Sequence, residues 1–406
     1  MVGTPVAVPT RRETIKGGGA LIGGGLLAGC TGGSDGGGAN GSSGSNGSGG
    51  ENATGGDGGV SYEVCMKPNP CTTFERVPET FATYHTAWSE IAFVLTGQEP
   101  EGMAYPEFYP TEFYDGLPGI EIDVESVTKI VTEEDVFSKE LFYEVSPDVF
   151  LIDHNIAKHY GEWDDDDISE IENNIAPLCG SYGMRPWPEY DEGYPFYTLY
   201  ELLGKASEVF KVEKERFEPL QTVYDDLVNQ VQSEAEPRTI GYMNGDPKEK
   251  TFYAHVPGQP GYQGEVQRHL NLEDAFRGKY PSGENSFEVD YEAILEADPD
   301  IILIKSGMIS YDSYGYDTFQ DYVADIAADE VGGQLTAVQE NRVYAGGPIE
   351  HGPVQSLFIH EAVAKQMYPE KFGEFTFETR NSLADIPEEE QMFDRQRVAD
   401  IINGGV

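Results

Sequence analysis

The sequence predicts an α/β protein of two lobes joined by one long α-helix, and three observations carry that expectation. First, one pattern occurs twice, about 150 residues apart: Leu141–Ile152 contains Ser146-Pro147-Asp148, and Tyr291–Ile304 contains Asp298-Pro299-Asp300. Each copy reads as a short helix, a Pro-Asp turn and an apolar run. Second, the runs Val149–Ile152 and Ile301–Ile304 are continuous, not alternating. That suits strands buried on both faces of a parallel sheet, covered by helices. Third, between the copies Phe210, Phe217, Leu220, Tyr224, Leu227 and Val231 recur at helical spacings. They make an apolar stripe, and the helix is expected over 204–235, closed by Pro237.

In chain order, residues 1–30 read as an export leader. Arg11-Arg12 followed by a short, mildly apolar, Gly-rich stretch resembles a twin-arginine signal. It is too short to span a bilayer, which takes about 20 apolar residues. Leu27-Ala28-Gly29-Cys30 resembles a lipobox, making Cys30 the expected lipid anchor. Residues 31–60 hold 14 glycines and no aromatic residue. Such a segment cannot bury enough surface to order itself, and its span is roughly 30 Å. Its sequons at Asn40, Asn46 and Asn52 are candidate glycosylation sites. An N-terminal lobe is expected over 61–203 and a C-terminal lobe over 236–406. Cys65 and Cys71 flank a turn-prone loop and are expected to pair in an oxidising exterior. Asp164–Asp167 lacks the Gly-punctuated alternation of a calcium loop and reads as surface. Further strands are expected at Arg238–Met243 and Asn341–Ala345, and a last helix from Pro353 to Tyr368.

There are 72 acidic residues against 26 basic ones, a formal net charge of −46. Nucleic acid and anionic membrane surfaces are excluded as partners, since both need clustered Lys and Arg. Acidic charge spread this evenly reads as the solvated surface of a protein from a very salty medium. No Gly-x-Ser-x-Gly elbow, His-Glu-x-x-His pair or phosphate-cradling Gly loop occurs in the folded part, so no residue set argues for an enzyme.

The plan resembles the helix-linked substrate-binding proteins of ABC importers for ferric siderophores, haem and cobalamin, and looks closest to haloarchaeal iron-complex members. The resemblance spans about 62–380. It rests on Glu75-Arg76-Val77-Pro78, on Trp88-Ser89-Glu90-Ile91-Ala92-Phe93-Val94-Leu95-Thr96-Gly97, on the two Pro-Asp repeats and on Leu335–Tyr344. The Tyr-rich insertion at Tyr105–Tyr114 departs from it. The resemblance implies two Rossmann-like lobes with a ligand cleft between them, and no catalysis. It further implies an ABC permease and its ATPase as partners, a monomer on the outer face of the membrane, and an iron(III) complex as ligand. Cobalamin, haem or a bare metal ion held by a His/Glu cluster are the alternatives. An extracytoplasmic α/β hydrolase is the reading from another class. Docking to the permease would use a surface glutamate on each lobe, with Glu90 and Glu361 as candidates.

Ligands of open α/β sheets bind beyond the carboxyl ends of the strands. That rule selects Tyr84, His85 and Trp88 after the first strand and His154 after the second. It selects Asn244 and Tyr253 after Met243, Lys305 after Ile304, and His351, with Glu350, after Tyr344. Arg185 and Trp187 join them as an anion contact and an aromatic wall. Each has a plainer reading: the aromatics as core, the histidines as locally bonded, and Lys305 as solvent-exposed.

Overall fold

Two sheets, each faced by helices, organise the chain. The computed structural model describes residues 61–186 and 194–404. The leader with Cys30, the linker with its three sequons, and Trp187 lie outside those residues.

The N-terminal part opens with a hairpin of β1 (Tyr62–Val64) and β2 (Thr72–Phe74), tied by the Cys65–Cys71 disulfide. A four-stranded parallel sheet follows. Its strands are β3 (Phe81–Thr83), β4 (Gly102–Met103), β5 (Thr128–Lys129) and β6 (Val149–Leu151), in the order β5-β4-β3-β6. Helices α1 (Thr86–Thr96), α2 (Lys139–Val145), α3 (His154–Gly161) and α4 (Asp165–Asn174) pack around it. All of β6 is buried. Phe150 stacks on Phe142 of α2 at 4.6 Å, so Phe150→Ala would cost about 3–5 kcal/mol. Asp164 caps α4 in a capping box with Asp167, a structural use of that acidic run.

The C-terminal part holds a six-stranded mixed sheet. Its strands are β7 (Arg238–Asp246), β8 (Thr251–His255), β9 (Leu272–Asp274), β10 (Ser286–Val289), β11 (Ile301–Ile304) and β12 (Val343–Ala345). The order is β10-β8-β7-β11-β12, with β9 also on β7. Strands β7, β11 and β12 run parallel, and β8 is antiparallel to β7 and β10. The remaining helices are α7 (Glu265–His269), α8 (Tyr291–Ala297), α9 (Gly307–Ser310), α10 (Phe319–Ala328), α11 (Thr336–Gln339), α12 (Pro353–Met367), α13 (Pro369–Phe372) and α14 (Arg395–Ile402). Between the sheets lie α5 (Leu199–Phe210) and α6 (Glu218–Glu234), which complete the numbering.

The repeated pattern folds as expected in both places. Helix α2 ends at Ser146 and α8 at Asp298, each in the left-handed region at φ 43° and 44°. The following proline stops the helix, and the buried strands β6 and β11 begin. The continuous linking helix over 204–235 is corrected. The segment is two helices, α5 and α6, broken by Lys211 at φ 54° and a 3₁₀ turn at Lys214–Arg216. Pro219 starts α6, where its missing N–H costs nothing. Phe210 and Phe217 are seven apart, which mimics two helical turns, but the chain bends between them. Helix α5 also starts earlier, where Thr198 and Glu201 form a capping box.

Candidate ligand cleft

The loops that leave the carboxyl ends of β3, β8, β11 and β12 bring one polar and aromatic cluster together. Tyr84 and His85 follow β3. Tyr84 is ringed by Tyr105, Phe137, Tyr160 and Tyr182 at 5.2–6.4 Å between centroids. His85 faces Tyr182 at 6.1 Å and Tyr262 at 6.4 Å. His351 reaches the same Tyr262 from the β12–α12 loop, at 5.7 Å.

Three groups here lack what burial normally demands. His85, Tyr262 and His351 are 1%, 0% and 2% exposed. Among the described residues neither nitrogen of His85, nor the Tyr262 hydroxyl, nor His351 Nε2 has a hydrogen-bond partner. An unpaired buried polar group costs about 1–3 kcal/mol, so such groups call for an explanation. Burial pushes the His85 imidazole down to about 3, helped by His351, and His351 down to about 4. Both rings are therefore neutral near pH 7, with lone pairs available. His351 Nδ1 lies 2.8 Å from the Pro348 carbonyl, which can accept only an N–H. That leaves Nε2 as the lone-pair nitrogen.

The charged side of the cluster lies on the C-terminal sheet. Lys305 directly follows β11, and its backbone N–H donates to the Met243 carbonyl at 2.7 Å. Its Nζ is 3.5 Å from His255 Nδ1, and His255 Nε2 is 2.5 Å from Asn244 Oδ1. Burial pushes Lys305 down to about 7; the Arg185 charge adds to this and Glu350 opposes it. Burial raises Glu350 to about 7 against the pull of Arg185 and Lys305. His255 is pushed well down by burial, Lys305 and Arg185. A small pocket of about 30 Å³ adjoins Lys305 and His255, lined also by Arg185, Tyr242, Gln263 and Asn285 among others. Two cations against one carboxylate is an exceptional local balance in a chain of net charge −46.

The sequence-selected residues divide accordingly. Tyr84, His85, Arg185, Asn244, Lys305 and His351 come together. Trp88 does not: it is core, and its Nε1–H donates to the Ser181 carbonyl at 2.7 Å. His154 is held by Glu172 of α4 at 3.0 Å, away from the cluster. Tyr253 sits on β8 opposite Asn244, half-buried, with no ring contact to the cluster among the described residues. Both docking candidates are corrected, because neither glutamate is on the surface. Glu90 is fully buried against Tyr114 and Gln355, and Glu361 is fully buried against Arg395 at 3.1 Å. Apolar flanks made each look like one charge on a helix, and only packing reveals that both are enclosed. Tyr105, Tyr160, Tyr182, Tyr242 and Tyr262 were missed. Their one signal was the abundance of tyrosine, 24 in all.

One trio of His, Cys, Asp or Glu side chains among the described residues brings its ligand atoms within 4.8 Å of one another: Glu63, Cys65 and Cys71. The disulfide occupies both sulfurs, so it is no thiolate site. No described helix is long and apolar enough to cross a membrane.

Known proteins share this architecture. A periplasmic binding protein from Veillonella parvula superposes with a TM-score of 0.52 at 14% identity, covering 76% of this chain and 97% of its own. CeuE of Helicobacter pylori with Ni(II) bound gives 0.52 at 13% identity, covering 77% and 90%. A variant of the heme binding protein HmuT gives 0.52 at 13% identity, covering 76% and 86%. At such identities the likeness is one of fold. No curated protein matches in sequence. The family model for periplasmic binding proteins matches residues 121–349, more than half of the chain, and this protein belongs to that family.

Proposed function

We propose that the protein is the substrate-binding component of an ABC importer, that it captures an iron(III)-siderophore-type complex, and that it hands the complex to a membrane permease. The observation that carries this reading is the pairing of Arg185 and Lys305 beside a wall of tyrosines, at the carboxyl ends of strands from both sheets. A ferric chelate is commonly anionic with apolar rims, which suits cations next to aromatic faces. The lobes divide near 61–203 and 236–406, joined through 204–235, which holds most of α5 and all of α6. Twin-arginine export and a lipid on Cys30 keep the receptor at the outer face of the membrane, as a monomer. The acidic surface suits a haloarchaeal protein in high salt.

The test titrates the full chain at high salt with a ferric siderophore, haem, cobalamin and free metal ions, reading tryptophan fluorescence. Quenching by the ferric siderophore is the expected result. A response to free metal ions alone would sink the reading. A second reading, direct capture of a metal ion, is favoured by one observation: the unpartnered nitrogens of His85 and His351 on either side of Tyr262. Neutral imidazole suits Zn, Cu, Fe or Ni.

A further inference from the structure

The family match covers 121–349, and chain on both sides of that span packs together across the two sheets. The Tyr-rich insertion ends in a 3₁₀ turn at Thr111–Gly116. Phe113 of that turn meets Phe358 of α12 at 6.2 Å between centroids. Arg380, from the C-terminal stretch, bonds Glu112 of the turn at 3.4 Å and Asp312 of the C-terminal part at 2.7 Å.

Glu90 of α1 sits at the centre of this joint. It accepts from the Tyr114 hydroxyl and, at 2.9 Å, from the Gln355 backbone N–H. Gln355 Nε2 also reaches the Tyr114 hydroxyl at 3.3 Å, which closes the ring. The position explains itself from helix chemistry. Helix α12 is 15 residues long and begins Gly352-Pro353, and its N-cap has no side chain to accept from the first-turn N–H groups. A carboxyl oxygen from α1 supplies that acceptor; burial pushes the Glu90 carboxyl up to about 8 against the hydrogen bonds it accepts, so near pH 7 it caps the helix mainly as a neutral group. Gly352 is required for the approach, since a Cβ there would run into the Glu90 carboxyl.

The segment entering this helix is the 346–352 loop, which carries Glu350 and His351 into the cleft. We infer that Glu90 is a positioning residue: by capping α12 from the other lobe it holds the 346–352 loop in its cleft-lining conformation. The functional meaning rests on the binding reading above, but the joint itself can be tested without cargo.

The test is hydrogen exchange by mass spectrometry on the full chain, read separately for 346–356 and for β6 and β11. Glu90→Ala should speed exchange at 346–356 by about tenfold while β6 and β11 stay protected. Glu90→Gln keeps an acceptor and should do less. Tyr114→Phe gives a milder probe if Glu90→Ala fails to fold, and should speed the same segment a few-fold. Gly352→Ala should loosen the loop as Glu90→Ala does, because its Cβ would displace the Glu90 side chain. Unchanged exchange at 346–356 in both Glu90→Ala and Gly352→Ala overturns the inference, and if neither folds, unchanged exchange in Tyr114→Phe does. If no ferric complex binds while these exchange results hold, the cargo assignment falls and the positioning role stands.

Discussion

Two pairs of histidines, all buried except the half-buried His269, meet opposite fates. His269 and His360 bond each other at 3.0 Å, and His360 Nδ1 lies 2.7 Å from the Ser356 carbonyl. His85 and His351 flank Tyr262 with three ring nitrogens unpartnered among the described residues. Burial pushes all four imidazoles down, to about 3 or 4. The cause is the same, yet one pair is satisfied within the fold and the other is left open in the cleft. Charge state alone therefore does not distinguish the two pairs; hydrogen-bond satisfaction does. A satisfied polar pair rigidifies its surroundings. An unsatisfied one is a cost retained at the place where a ligand would relieve it.

The largest effect expected from this contrast is on stability. His360→Ala removes a fully buried ring and strands His269, and should cost about 2–4 kcal/mol. His351→Ala also removes a buried ring, but it relieves an unpaired nitrogen and strands no histidine, and should cost less, about 1–2 kcal/mol. Denaturant melts of the two variants, compared at fixed salt, measure the difference; equal losses would break the distinction between the pairs. Next in size is cargo affinity. Arg185→Ala and Lys305→Ala should each weaken binding of an anionic ferric complex by about tenfold or more, and His360 variants that still fold should not. Fluorescence titration reads both.

The smallest expected effect is of pH. Lys305 and Glu350 both titrate near 7 and share the same surroundings. They are best treated as one coupled unit beside the Arg185 charge. Each proton lost between pH 6 and 8 removes one positive charge from this unit, whichever residue releases it. Affinity for an anionic complex should therefore fall as pH rises from 6 to 8, by several-fold. A flat profile would mean that the cations do not face the cargo. The stability of the carboxyl itself follows the same direction. Because burial raises Glu350 above the unfolded value of 4.5, its contribution is fully present below that value and is lost as pH rises through about 7.

Much of the fold was legible because its signals are local. Ser146-Pro147 and Asp298-Pro299 each pair a left-handed helix end with a residue that cannot continue a helix, and the buried strand follows within three residues. The long helix was misjudged for the complementary reason. Periodicity counts spacings, and Phe210 and Phe217 keep the spacing while Lys211 turns the chain. Half of the cleft was legible too, because the strand-end rule depends only on knowing where strands stop. It selected His85, Lys305 and His351, which lie in one cluster, and His154, which Glu172 holds.

By itself, the sequence determined the α/β class, the repeated helix-to-strand step, the Cys65–Cys71 pairing and the loops from which a cleft could be built. These depend on the backbone preferences of Pro, on runs of β-branched and aromatic residues, and on pairs close in the chain. Tertiary structure alone decided which side chains those loops share. Tyr262 stands between His85 and His351 because loops from three regions of the chain converge. Glu90 is a buried cap and not a surface contact because α12, some 265 residues later, brings its bare N-terminus to it. Long-range packing determines burial, and burial decides whether a carboxylate or an imidazole acts as surface, scaffold or site.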